Sequence, residues 1–116
     1  MRKPRKELSD EALDLIAARF RLLAEPMRLR LLHTLGDREM SVSELVEATG
    51  AGQANVSKHL GLLADAHIVG RRKEGLNTYY RVTDESIFTL CEDVCSSLGE
   101  RFASHQQTIK NFKGRR

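Results

Sequence analysis

The feature that most constrains this chain is a glycine-bearing break, Gly50-Ala51-Gly52, set between two short segments of helical periodicity. Ahead of it, Ser41-Val42-Ser43-Glu44 has the spacing of a capping box, in which serine and glutamate satisfy each other's free amides. This predicts a short helix through about Thr49, with Val42, Leu45 and Val46 turned inward. Beyond the break, Val56, Leu60 and Leu63 recur at helical spacing within a segment from Gln53 to about Ala66. Two short helices joined by such a turn make a helix-turn-helix.

The flanking sequence extends the pattern in both directions. Leu13, Ile16, Phe20 and Leu23 fall at steps of three and four, so a first helix is expected from about Ser9 to Leu23, capped by Ser9. Pro26 suits the first turn of a second helix, whose buried side is Leu29, Leu31, Leu32 and Leu35 and whose end is Gly36. After His67 the period changes. Ile68 and Val69 lead through Arg71-Arg72-Lys73 to a Glu74-Gly75-Leu76-Asn77 turn, and Thr78-Tyr79-Tyr80-Arg81-Val82 returns, which reads as a β-hairpin. Thr83 or Asp84 then caps a long last helix. Its apolar stripe of Ile87, Cys91, Val94, Leu98 and Phe102 is more than a small domain leaves uncovered, so it calls for a partner.

With 116 residues, 41 % of them hydrophobic and 30 % charged, the chain suits one soluble domain with a modest core. That domain is expected over residues 9–104, between flexible basic tails at 1–8 and 105–116. No apolar run is long enough to span a bilayer and no apolar segment follows the basic start, so the expected address is cytoplasmic. The net charge of +3 leans toward an anionic partner. No phosphate loop, nucleotide fingerprint or spaced nucleophile–base pair is present, which argues against an enzyme.

The helix after Gly52 is the right size for a DNA major groove, where an exposed N-terminal half meets base edges. With Val56, Leu60 and Leu63 inward, the outward set contains Gln53, Asn55, Ser57, Lys58 and His59. Amides of Gln and Asn pair bidentately with adenine and a serine hydroxyl reaches several base types, whereas Lys58 and His59 suit phosphate or a flanking base. In the hairpin, Arg71, Arg72 and Lys73 reach phosphates or a minor groove, but strand alternation keeps all three from pointing the same way. Tyr79 and Tyr80 read as packing residues.

The order helix, helix, helix-turn-helix, hairpin, helix resembles the ArsR/SmtB family of metal- and stress-responsive repressors. The resemblance is carried by Phe20 to Leu32 (with Ala24-Glu25-Pro26-Met27-Arg28 at the entry to helix 2), by Ser41-Val42-Ser43-Glu44-Leu45, and by Asn55-Val56-Ser57-Lys58-His59-Leu60. It implies a mainly α (α+β) winged helix-turn-helix of five helices plus a β-hairpin wing, dimerising through the terminal helices. It further implies a homodimer on double-stranded, inverted-repeat operator DNA, with no membrane partner.

In some members of that family, cysteines at the start of helix 3 hold thiophilic metals; the matching positions here resemble Ser41 and Ser43. In others, two carboxylates and two histidines bind zinc-like ions between copies of helix 5. Those positions match Asp84, Ser86, Ser97 and Glu100, a vestigial set in which the carboxylates remain without imidazoles and which makes a poor transition-metal site.

The chain's two cysteines, Cys91 and Cys95, stand one turn apart on the last helix. Cβ atoms at that spacing are about 5–6 Å apart, too far for an undistorted disulfide at about 3.5–4.5 Å. Thiolates converging on a soft metal or metalloid such as As(III), or joined through additional sulfur, bridge that gap better. The pair is therefore a candidate sensing site for a soft metal, a reactive sulfur species or an oxidant. Two small apolar residues packed in a dimer seam give the same pattern, and the sequence leaves both readings open. It equally leaves open a ligand-independent regulator or a protein-interaction module. His33, His67 and His105 form no site by spacing.

Overall fold

The computed structural model describes residues 5–101. The described residues fall into two compact units, residues 5–83 and residues 84–101. In the first, α1 (Asp10–Leu23) begins where Ser9 Oγ accepts the Ala12 N–H at 3.1 Å. Next comes α2 (Pro26–Leu35), with Pro26 in its first turn, the Glu25 carboxylate accepting the Met27 N–H at 2.9 Å, and Gly36 closing it at φ 56°. A short strand β1 (Met40–Ser41) runs directly into α3 (Val42–Thr49). Both halves of the capping box form: Ser41 N–H donates to Glu44 Oε1 at 2.8 Å and Glu44 N–H donates to Ser41 Oγ at 3.1 Å. Gly50 then turns the chain in a left-handed conformation, φ 76°, into α4 (Gln53–Asp65).

The core of this unit is leucine. Leu31, Leu32 and Leu35 of α2, Leu45 of α3, and Val56, Leu60 and Leu63 of α4 lose all exposure, together with Ile68 ahead of the wing. At about 1.5–3 kcal/mol for each fully buried aliphatic side chain, this cluster fixes how α4 lies on α2 and α3. Leu29, Val42 and Val46, expected inside, are only half-buried at its edge.

The wing is β2 (Val69–Glu74) and β3 (Asn77–Val82), antiparallel with Val69 opposite Val82 and Glu74 opposite Asn77. That register leaves a two-residue loop, Gly75-Leu76. Gly75 at φ 62° supplies the positive torsion that a tight hairpin turn needs at its first central position. A third strand was not anticipated: β1 pairs on the other side of β3, Met40 with Tyr80 and Ser41 with Tyr79, for a sheet order β1-β3-β2. Two residues carry no readable period, and Ser41 serves both as strand end and as the cap of α3.

α1 is helical where expected, but its stripe is not core. Only Leu23 is buried, while Leu13, Ile16 and Phe20 remain 48 %, 38 % and 53 % exposed. In the second unit, α5 (Ser86–Arg101) starts beside Asp84, whose carboxylate accepts the Ser86 N–H at 3.1 Å and its hydroxyl at 2.6 Å. Along α5, Ile87 is buried, Cys91 and Leu98 are half-buried, and Val94 is 48 % exposed. Phe102, His105, residues 1–4 of the N-terminal tail and the whole C-terminal tail lie outside the described residues, as do the expected boundaries at 104 and 105. Among the described residues no helix is long and apolar enough to cross a membrane.

Candidate nucleic-acid interface

Gln53, Asn55, Ser57 and Lys58 are all exposed on α4, as the periodicity requires when Val56, Leu60 and Leu63 face the core. Helical geometry adds a residue that the sequence reading passed over. Ala54 and Lys58, one turn apart, stand opposite the buried row, with Asn55 on one flank and Gln53 and Ser57 on the other. An exposed alanine at that place offers a methyl group, the complement of a thymine methyl.

His59 is a correction. It does not belong to the outward set: it is 6 % exposed, and its Nδ1 accepts a hydrogen bond from Arg28 Nε at 3.0 Å. The same guanidinium donates through a second nitrogen to the Leu22 carbonyl at 2.8 Å. Arg28 thereby ties the end of α1 to the middle of α4. Arg19 adds a second tie, donating to the Ala66 carbonyl at 3.1 Å just past α4.

The wing separates its three cations. Arg71 and Lys73 stand opposite Tyr80 and Thr78 and share their face, whereas Arg72 stands opposite Tyr79 on the other. Arg72 is engaged within the protein. It donates to Glu39 through two nitrogens at 3.1 and 2.8 Å and to Glu74 at 2.6 Å, and it lies 4.9 Å from the centre of the Tyr79 ring. The hydrogen bond from Arg72 holds the Glu39 carboxyl below the ordinary carboxylate range, and Glu39 and Glu74 together push the Arg72 guanidinium further up. Arg72 is thus a brace between the wing and the loop before β1. Arg71 makes a looser contact, 5.9 Å from the centre of the Tyr80 ring, and keeps its exposure.

Between α4 and the wing lies a hollow of about 250 Å³, bordered also by the start of α3. Tyr80 and Thr78 reach it from the wing, and Gln53 and Ser57 from α4. The face of the wing that carries Arg71 and Lys73 is therefore the one turned toward α4.

The candidate sensing residues occupy α5. Cys95 is exposed and Cys91 half-buried, and burial, followed by the neighbouring Cys95, pushes the Cys91 thiol above its ordinary range. Asp84 and Glu100 sit near opposite ends of this 16-residue helix, a separation of about 24 Å, so one chain cannot bring them to a common ion. Among the described residues no three side chains of the metal-ligating types cluster.

Comparison with known proteins places this geometry. A model described as a helix-turn-helix domain matches residues 23–71. The chain is 40 % identical to the HTH-type transcriptional regulator KmtR of Mycobacterium tuberculosis over 86 residues, 74 % of this chain and 66 % of that relative. It is 32 % identical over 97 residues to the HTH-type transcriptional repressor SmtB of the same organism, covering 84 % of this chain and 69 % of the relative. The match thus spans about two thirds of these relatives' own length, just under that share for KmtR. Among solved structures, it superposes with a TM-score of 0.68 on the homodimeric winged helix-turn-helix DNA-binding domain of Mb0332 from Mycobacterium bovis, described as a possible ArsR-family transcriptional regulator. That match is 31 % identical and covers 80 % of this chain and 93 % of the other.

Proposed function

Because this chain belongs to the ArsR/SmtB family of winged helix-turn-helix transcriptional regulators, we propose that it is a cytoplasmic repressor binding an inverted-repeat operator as a homodimer. The observation that carries this reading is the exposed N-terminal half of α4 standing beside a wing whose Arg71 and Lys73 face the same side. One element is shaped to enter a major groove, while the other supplies cations for the adjacent backbone. The exposed apolar side chains of α1 (Leu13, Ile16, Phe20) and of α5 (Val94) support a homodimer, since each is surface that a second copy would cover. In this reading Gln53 and Asn55 address bases, Ser57 and Lys58 a base or the adjacent backbone, and Arg71 and Lys73 phosphates.

Fluorescence anisotropy with the inverted repeat upstream of its own gene and with an unrelated duplex tests the proposal. Tight binding to the repeat that falls steeply with salt supports it. No preference and no salt dependence would instead mark a protein-interaction module. The wing makes its own prediction. Alanine at Arg71 or Lys73 should reduce the slope of log K against log salt by about one, the loss of one phosphate contact. Arg72→Ala should leave that slope unchanged, since its charge is already met by Glu39 and Glu74.

The inducer is proposed to act at Cys91 and Cys95. An exposed and a half-buried thiol one turn apart suit a thiophilic cation such as As(III), whose bonds to sulfur span a gap too wide for a direct disulfide. Ligation would change how the two copies pair and disfavour the spacing that fits successive major grooves, a coupling that needs different ligand affinity in the two states. The Cys91→Ser/Cys95→Ser variant is expected to bind the operator as the parent does and to stay bound on addition of As(III). If As(III) releases the variant and the parent alike, the thiols are packing residues and the signal enters elsewhere.

A further inference from the structure

The hollow lies between the two elements that the DNA-binding reading assigns to different grooves, α4 and the wing. Its wall includes Ser43 of α3, Gln53 and Ser57 of α4, and Leu76, Asn77 and Thr78 of the wing. With α4 in a major groove and the wing over the neighbouring minor groove, the ridge dividing the two grooves must pass between them. That ridge is the sugar–phosphate backbone of one strand.

We propose that this hollow is the seat of one phosphodiester of the operator backbone, held by the hydroxyls of Ser43, Ser57 and Thr78. The proposal rests on the DNA-binding reading above and adds a site to it. The chemistry of the wall fits a phosphodiester, because serine and threonine hydroxyls and the Gln53 amide offer donors and no carboxylate lines the hollow. The nearby acids are turned elsewhere: Glu44 folds back onto the Ser41 N–H, and Glu74 is paired with Arg72 on the far face of the wing. Ser43 stands in the first turn of α3, where backbone N–H groups lack acceptors within the helix and the helix dipole is positive. Lys73 stands directly opposite Thr78 and flanks the seat with positive charge.

Neutral donors and cations leave different signatures. A cation removed from a phosphate lowers the salt dependence of binding, whereas a hydroxyl releases no counterion. Backbone contacts carry no sequence information, so their loss weakens operator and unrelated duplex alike.

The test is anisotropy with the full chain across a salt series, on both duplexes. The Ser43→Ala/Thr78→Ala variant is expected to bind both more weakly, on the order of tenfold, as befits two neutral hydrogen bonds, with the salt slope unchanged. Thr78→Ser should restore its share. Ser43→Asp separates binding from folding, because an acid in the first turn favours the helix while repelling a phosphate. It should keep or raise the thermal midpoint and bind both duplexes more weakly than Ser43→Ala. Unchanged affinity in the double variant, or Ser43→Asp binding like the parent, would overturn the seat while leaving the repressor reading standing. A parent chain that binds neither duplex overturns the repressor reading itself, and the seat with it.

Discussion

Asn55→Ala is expected to weaken binding to the operator by about 1–3 kcal/mol, the worth of a bidentate amide–adenine contact, while leaving affinity for an unrelated duplex almost unchanged. The asymmetry is the informative part. Gln53 lines the hollow beside the wing, whereas Asn55 lies exposed on the opposite flank of Ala54 and Lys58 and does not border the hollow. Anisotropy at one fixed salt concentration on both duplexes measures the two losses together. An equal loss on both would place Asn55 on a phosphate and shift base reading to the other exposed side chains of α4.

Arg28→Ala is expected to destabilise the fold by about 1.5–3 kcal/mol, since it deletes charge-assisted hydrogen bonds and leaves a buried acceptor without its partner. Arg28 reaches His59 Nδ1 and the Leu22 carbonyl with one planar group. Arg28→Lys should recover little, because an ammonium cannot reproduce two donors held in a rigid fork. Thermal unfolding at a fixed protein concentration should show the midpoint falling by roughly ten degrees. An unchanged midpoint would mean that the leucine cluster alone seats α4. Since His59 stands next to Lys58, loss of the tie should also reduce operator affinity in the variant that remains folded.

Local signals in the sequence translated directly into the fold. Ser9, Pro26, the Ser41–Glu44 box and Gly50 sit at helix ends because each satisfies a backbone group or torsion within a few residues of itself. The wing was legible for the same reason, through Gly75 and the alternation beside it. What stayed hidden depends on partners far along the chain. His59 is polar and at the edge of the apolar stripe of α4, and its burial is decided by Arg28, 31 residues earlier. Arg72 looks like its neighbours until Glu39, 33 residues away, is placed beside it. The apolar spacing of α1 correctly signalled a helix, but periodicity cannot distinguish a face covered by its own chain from one left for another. Ser43 and Thr78 were legible only as members of a capping box and of a returning strand, and only the fold brings them together with Ser57 around one hollow.

The pairing of β1 with β3 has a further consequence. Ser41 is at once the strand partner of Tyr79 and the residue that starts α3, so the wing and the helix-turn-helix share one covalent and hydrogen-bonded frame, with Arg72 and Glu39 bracing it from outside. Each copy therefore behaves as a caliper with fixed jaws. Inserting one base pair within a half-site, between the bases under α4 and the backbone under the wing, should defeat recognition, because neither jaw can travel without the other. For the proposed repressor, tolerance for altered operator length is therefore expected only in the spacer between half-sites.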